Sequence, residues 1–175
     1  MRTGRGCSSL DEEPDTLTWV YDATDQILGR LSSHVAKVLL SAKREGRDER
    51  VVVVNAGQAV ISGSRASVLA IYRKKVELNH PRRGPFYPRM SDQILKRTVR
   101  GMLPYQKNST GRAAFRNLRV LQGCPAHLAG DELPDGVQRG DPSGFARPLP
   151  ERFMRLDDIS KSLGAPQRVV SRGEA

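Results

Sequence analysis

Apolar residues along the first half of the chain switch between strand-like and helix-like spacing. Residues 17–21 predict a short strand, and residues 28–42 carry leucine and valine at the spacing of an amphipathic helix. The run Val51–Val54 has four β-branched residues without polar alternation, which indicates a strand buried on both faces. Another short strand, at 59–61, is followed by a second helical pattern. Strands that alternate with helices predict right-handed crossovers and an α/β fold.

The second half contains one strongly amphipathic helix between two irregular segments. Residues 79–90 hold three prolines and a glycine and predict an extended loop. The helix follows Ser91 and is ended by Pro104. A short helix at 111–117 and a strand at 118–122 follow the next loop. The apolar side of the amphipathic helix is predicted to contain Ile94, Leu95, Thr98, Val99 and Met102.

Short polar residues mark the predicted starts of the helices. Asp22–Asp25 predicts a turn and cap before the first helix, Ser64 a cap before the second, and Ser91 a cap before the third. Asp92 lies in the first turn of that third helix, where a negative charge suits the helix dipole.

Both ends of the chain have a different composition from the middle. Residues 1–16 are small, polar and charged and predict a flexible arm. Residues 125–150 are rich in proline, glycine and acid, which predicts a linker or a surface tail without a core of its own. A short helix is predicted at 156–164. We therefore expect an arm, an α/β domain over 17–124, and an extended C-terminal tail over 125–175.

Size and composition allow one such domain. The chain has 175 residues, of which 38% are hydrophobic, so it can bury a core. It has no apolar run near the roughly 18–20 residues that cross a bilayer. The N-terminal sequence is acidic and lacks the apolar centre of a signal peptide, so we expect a cytoplasmic protein. The two cysteines, Cys7 and Cys124, have neither metal-ligand spacing nor a disulfide pattern.

Positive charge is concentrated in one internal stretch. Residues 82–119 carry ten Lys or Arg and one acid, Asp92, which accounts for nine of the chain's net ten positive charges. Phenylalanine and tyrosine are interleaved with these charges. A dense field of one sign fits a polyanion, and aromatic rings fit unpaired bases, so the stretch predicts RNA binding. The alternative is a solvated basic surface, which usually mixes both signs.

The candidate RNA contacts follow from this charge pattern. The principal candidates are Arg82, Arg83 and Arg89 in the loop, Lys96, Arg97 and Arg100 on the helix, and Lys107, Arg112 and Arg116 beyond it. Further candidates are Arg30, Arg73, Lys74, Lys75, His80, Phe86 and Tyr87. For 73–75 the alternative is a solvated helix face, and for the two rings it is packing against the domain.

Catalytic signals are missing from the sequence. It contains no phosphate-binding glycine motif, and His34, His80 and His127 are far apart and away from the acids. We therefore expect no enzyme activity, no metal and no cofactor. Two other functions stay open: an RNA-binding translational regulator, and an enzyme on nucleotides or RNA, since α/β folds often host such enzymes.

Several separated motifs occur in the order found in one family. The chain resembles the large-subunit ribosomal protein L13 family, and its archaeal and eukaryotic-like branch in particular. The resemblance is carried by Trp19–Ser33, Val52–Ala56, Ile61–Gly63, Phe86–Pro88, Lys96–Pro104, Gly111–Arg112, Leu118–Gly123 and Phe153–Ala165.

The resemblance implies both a fold and a role. The fold is a three-layer α/β/α domain around a small, mainly parallel sheet of about four strands. The role is structural binding to large-subunit ribosomal RNA, early in subunit assembly. Neighbouring large-subunit proteins are expected partners through the C-terminal tail, whereas a membrane and a small-molecule substrate are not.

Overall fold

The computed structural model describes residues 17–130 and 133–166, so the arm predicted at 1–16 lies outside the described residues. The helices are α1 (Leu28–Arg44), α2 (Arg65–Glu77), α3 (Ser91–Met102), α4 (Ser109–Arg116), α5 (Ala126–Ala129) and α6 (Leu156–Ser162). The strands are β1 (Thr18–Asp22), β2 (Arg50–Val54), β3 (Val60–Ser62), β4 (Leu118–Val120), β5 (Val137–Arg139) and β6 (Phe153–Arg155).

The main sheet has four parallel strands in the order β4-β2-β1-β5. The chain moves in one direction from β1 through β2 to β4 and then returns to β5 at the opposite edge. Right-handed crossovers require the returning connection to lie on the other face of the sheet. Two separate hydrophobic clusters, one on each face, agree with this path. The predicted three-layer α/β fold is therefore confirmed.

The first face of the sheet carries most of the core. Val51 and Val53 of β2 and Leu118 of β4 are buried against Leu31 of α1 and Leu95 of α3. Fully burying such a side chain contributes about 1.5–3 kcal/mol. This packing fixes α3 rigidly on the first face.

The second face has a much thinner cover. Side chains on a strand alternate between faces, so Val20, Val52 and Val54 face away from α1 and α3. They pack with Leu128 of α5 and with Leu133. Since α5 has only four residues, the second layer is slight.

A small antiparallel pair, β3 and β6, links the C-terminal segment to the domain. The predicted short helix, α6, follows β6 directly and buries Leu156 and Ile159 in the main core. The Leu156 amide donates to the Ala59 carbonyl at 2.9 Å. Gly164 follows the helix with a φ of +73°, the left-handed conformation expected of a glycine after a helix end.

The interpretation of 125–150 as a linker without a core of its own is wrong in two places. Val137–Arg139 forms β5 and pairs with β1 as the fourth strand of the main sheet. Phe145 is buried, and its ring lies 5.9 Å from the Tyr21 ring and 5.1 Å from the His34 ring. The segment therefore completes the domain, although its composition resembles that of a loop.

The predicted caps had mixed outcomes. The Ser64 hydroxyl accepts from the Ser67 amide at 3.4 Å, which confirms that cap. Ser91 is instead the first residue inside α3, buried, with its hydroxyl accepting from Gln122 Nε2 at 3.1 Å. Before α1, Asp22 Oδ1 accepts from the Thr24 amide and hydroxyl, and the helix starts without a side-chain cap. The predicted caps at Ser91 and Asp22 are therefore wrong, because each side chain forms a hydrogen bond with another polar group instead.

Candidate nucleic-acid interface

Helix α3 presents its two sides as the sequence pattern predicted, with one exception. Ile94, Leu95 and Val99 are fully buried, whereas Arg97 and Arg100 are exposed and Lys96 is half-buried. Met102 was predicted on the apolar side but is 42% exposed, because the helix ends there and its last turn leaves the core. We call Lys96, Arg97 and Arg100 the cationic face.

Each cation of this face lies over an aromatic ring. The Arg97 Cζ atom is 4.8 Å from the Tyr87 ring centre, and its Nη1 donates to the Phe86 carbonyl at 2.8 Å. The Arg100 Cζ atom is 4.2 Å from the Tyr105 ring, and the Lys96 Nζ atom is 5.4 Å from the Phe115 ring. Such contacts orient a cation without neutralising it.

The ring under Arg97 is itself supported by a residue of α2. Tyr72 and Tyr87 meet edge to face with centroids 6.0 Å apart, and Lys75 Nζ lies 4.6 Å from the Tyr72 ring. Burial raises the pKa of the Tyr72 hydroxyl and of the Tyr87 hydroxyl. Both rings are therefore uncharged at neutral pH, and Lys75 joins the surface around the cationic face.

Under Arg100 and Lys96, a second ring pair connects α3 to α4. Tyr105 and Phe115 are 5.5 Å apart at an interplanar angle of 85°. A Cβ atom on Gly111, in the first turns of α4, would lie 2.5 Å from the Pro104 carbonyl oxygen. Only glycine permits this approach, which brings α4 against the end of α3.

An open groove of about 500 Å³ runs beside these contacts. Its cationic lining comes from Arg97, Arg100 and Lys107, and the Tyr105 ring forms part of its wall. Arg112 lies next to it, since its Nη1 donates to the Tyr105 carbonyl at 3.4 Å. The groove is thus a cationic channel with an aromatic wall.

The proline-containing loop before α3 adds further exposed charge. The amides of Arg83 and Gly84 both donate to the His80 carbonyl, and His80 Nδ1 accepts from the Arg82 amide at 3.3 Å. The side chains of Arg82, Arg83 and Arg89 are exposed. Phe86 is 61% exposed, although its carbonyl is held by Arg97.

No carboxylate among the described residues forms an ion pair with this region. Within residues 17–130 and 133–166, the ion pairs involve Lys43, Arg47 and Arg155, all outside 82–119. Asp92, the single acid of the stretch, is buried and accepts from Gln93 Nε2 at 3.1 Å. The positive charge of the surface is therefore available to a partner.

The structure does not bring all the candidates together. Arg116 is exposed at the end of α4, and Arg73 and Lys74 are exposed on α2 without contact to the ring pairs described above. Arg30 is exposed on α1, and no described contact joins it to the cationic face. Tyr72 was not among the candidate residues, and its spacing of three from Lys75 on a helix was the available signal.

Other kinds of site are not evident in the described residues. No group of three or more His, Cys, Asp or Glu there is placed to hold a metal ion. No helix in the same part of the chain is long and apolar enough to span a bilayer. His34 lies against the rings of Tyr21 and Phe145, and burial lowers its pKa.

The fold and the cationic face define an α/β protein with a preorganised, unneutralised basic surface. A sequence profile described as Ribosomal protein L13 matches residues 16–127. The chain therefore belongs to the ribosomal protein L13 family, and the resemblance predicted from its motifs is confirmed.

Curated relatives agree over most of the chain. The large ribosomal subunit protein uL13 of Archaeoglobus fulgidus is 50% identical over 152 residues, covering 83% of this chain and 86% of the relative. The protein of the same name in Methanosarcina barkeri is 50% identical over 149 residues, covering 83% and 97%. That of Methanopyrus kandleri is 36% identical over 153 residues, covering 87% and 89%. These relatives are archaeal, in agreement with the predicted branch.

Proposed function

We propose that this protein is a structural constituent of the large subunit of the cytoplasmic ribosome and binds large-subunit ribosomal RNA through the cationic face and its surrounding loops. The observation that carries the proposal is the arrangement of Lys96, Arg97 and Arg100. Each lies over a ring, and none has a described carboxylate partner. Family membership and the names of the relatives support the same role.

The mechanism is electrostatic and depends on rigidity. Folding of ribosomal RNA brings phosphates together, and fixed cations offset their repulsion and release counterions. With one side of each guanidinium on a ring, N–H groups on its edge are left for phosphate oxygens: those of Arg100, and those of Arg97 that do not bond the Phe86 carbonyl. Prior ordering of such a side chain saves about 0.5–1.5 kcal/mol on binding.

The two neighbouring aromatic residues take different roles. Tyr87 is half-buried between Tyr72 and Arg97, so it positions the guanidinium and is not itself the main contact. Phe86 is exposed, and its backbone is held by Arg97, so its ring is available to stack on an unpaired base.

The remaining basic residues extend the surface. Phosphate contacts are proposed for the exposed side chains of Arg82, Arg83, Arg89, Lys107, Arg112 and Arg116, with Lys75 and His80 beside them. Arg30, Arg73 and Lys74 form the outer part of the proposed contact set. No catalytic step is assigned to any of these residues.

The C-terminal segment is proposed to contact neighbouring ribosomal proteins. Leu149 and Phe153 are large apolar side chains, 43% and 40% exposed, close together in sequence. Apolar side chains of this kind form the centre of protein interfaces.

The proposal is tested by sedimentation of a cell lysate through gradients in low and high salt. A structural constituent is expected at one copy per large subunit, and it stays there in high salt. Recovery mainly in light fractions would contradict the proposal and favour the off-ribosome regulator.

A further inference from the structure

Three arginines lie on the second face of the main sheet, away from α3. Arg50 shares its side of β2 with Val52 and Val54, because side chains alternate along a strand. Arg119 of β4 pairs in register with Val52, and Arg139 of β5 pairs with Val20. We call Arg50, Arg119 and Arg139 the arginine rim. All three side chains are exposed.

The rim has a fixed geometry because it is built on strands. Arg119 and Arg139 are at the two ends of one cross-strand row that passes through Val52 and Val20. Three strand spacings of about 4.8 Å place their Cα atoms roughly 14 Å apart. Arg50 precedes Val52 by two residues, which is about 7 Å along β2.

Among the acids that the structure describes, those near the rim already have partners or lie at its margin. Asp22 Oδ1 accepts from Thr24 and Asn55, and the pKa of Asp48 near Arg50 is lowered first by its hydrogen bond from Lys43. Asp135 precedes β5 at the edge of the sheet. Within the described residues, the ion pairs include no member of the rim. Arg139 Nη2 donates to the Gly130 carbonyl at 2.7 Å.

Little apolar surface remains between these arginines. Val20 and Val54 are buried, and Val52 half-buried, in the cluster that Leu128 and Leu133 complete. A protein partner normally needs an apolar centre in the contact, whereas an RNA backbone needs only spaced donors. The surface therefore favours a polyanion.

We infer that the arginine rim binds the phosphates of a second RNA segment, so that the protein bridges two parts of the ribosomal RNA. The inference rests on the proposed function, because it takes ribosomal RNA as the ligand. The rim and the cationic face are separated by the sheet and the helix layer that carries α3. One segment lies on α3 and another reaches the rim, and the domain holds the two at a fixed separation.

The test compares paired variants of the full-length protein on a large-subunit ribosomal RNA transcript. Arg119→Gln/Arg139→Gln removes two rim charges, and Arg97→Gln/Arg100→Gln removes two from the cationic face. Arg44→Gln/Arg65→Gln is the matched control, since both arginines are exposed and outside the two surfaces. Binding is measured across a salt series, and hydroxyl-radical footprints locate the protected RNA backbone.

The rim variant is expected to reduce the magnitude of the negative slope of log affinity against log salt by about 1.4–1.8, for two lost phosphate contacts. It should also lose protections at RNA positions different from those lost by the α3 variant. Arg119→Lys/Arg139→Lys, which keeps the charge, should retain those protections and separates charge loss from misfolding.

The remaining outcomes contradict the inference or the proposed function separately. An unchanged slope and footprint for the rim variant, with a clear loss for the α3 variant, would overturn the rim alone and assign that face to a protein neighbour. Loss of the same protections by both variants would overturn bridging. Unchanged slopes for both would overturn the proposed function itself.

Discussion

The ion-paired residues Lys43 and Arg47, near the end of α1, differ from the cationic face in how their positive charges are satisfied. In the first region Lys43 pairs with Asp48, and Arg47 pairs with Glu45 and Glu49. In the second, the three cations lie over aromatic rings. The first region is electrically closed, whereas the second keeps its charge for a ligand.

The closed region is also tied into the fold. Trp19 Nε1 donates to Glu49 at 3.0 Å, and Asn117 Nδ2 donates to Asp48 at 2.9 Å. Hydrogen bonds from Lys43 and then Asn117 lower the pKa of Asp48. These charges stabilise a loop at the end of α1. The comparison leads us to expect that the partner of a basic residue, and not its charge, distinguishes a structural role from the proposed ligand-binding role.

The largest effect on the cationic face is expected from a substitution at Gly111. In Gly111→Ala the new Cβ meets the Pro104 carbonyl, so we expect a loss of about 1–3 kcal/mol in the free energy of unfolding. Affinity for RNA should fall as well, because α4 and the ring of Phe115 shift. Unfolding in denaturant measures the loss in the free energy of unfolding. Gly101→Ala is the control: a Cβ there has open space, and the change should be neutral or stabilising.

Arg47→Gln tests the closed region. The buried Glu49 carboxylate loses its ion pair with Arg47. Because the Arg47 side chain is half-exposed, the pair is weak, and the free energy of unfolding should fall by about 1 kcal/mol. Affinity for RNA should not change. A fall in RNA affinity as large as that of an α3 variant would contradict the distinction between the two regions.

Tyr87→Leu sharpens the comparison without changing any charge. Loss of the ring under Arg97 removes a contact worth about 0.5–1 kcal/mol, so RNA affinity should fall about two- to five-fold. Tyr87→Phe keeps the ring and should bind like the wild type. Equal affinity of the leucine and phenylalanine variants would show that the ring does not position the guanidinium.

The smallest effect is expected at alkaline pH. Burial raises the pKa of Tyr72 and Tyr87 above the ordinary value of 10.0 in the folded protein. As pH rises, the unfolded chain therefore loses the hydroxyl protons of these tyrosines before the folded protein does. Their contribution to the free energy of unfolding is complete below about pH 10 and decreases as pH rises further. Tyr72→Phe should make unfolding less sensitive to pH in that range. An equal decrease in variant and wild type would contradict the assignment.

The helices with strong periodicity were predictable from the sequence, because local pattern and tertiary packing agree there. Helix α3 is the clearest case: its buried and charged sides follow from spacing alone. The ring under each cation was not predictable, since Tyr72, Tyr87 and Arg97 come from three different segments. Only the packing of α2 against the loop before α3 brings them together.

The strand β5 and the helix starts could not be predicted from the sequence for a different reason. β5 has three residues, which are too few to show an alternation of apolar and polar side chains. It forms a strand because it pairs with the edge of β1, which the local sequence does not indicate. Ser91 and Asp22 are of residue types that commonly cap helices, but their side chains form hydrogen bonds with other partners. Where several partners compete for one polar group, local preference does not decide the outcome.

The central claim is that the unpaired, ring-backed cations bind ribosomal RNA phosphates. It is tested most directly by the salt dependence of RNA binding for Arg97→Gln/Arg100→Gln beside Arg47→Gln. We expect the negative log–log slope of the α3 variant to become shallower by about 1.4–1.8 and that of Arg47→Gln to match the wild type. An unchanged slope for the α3 variant, or an equal fall in both proteins, would contradict the claim.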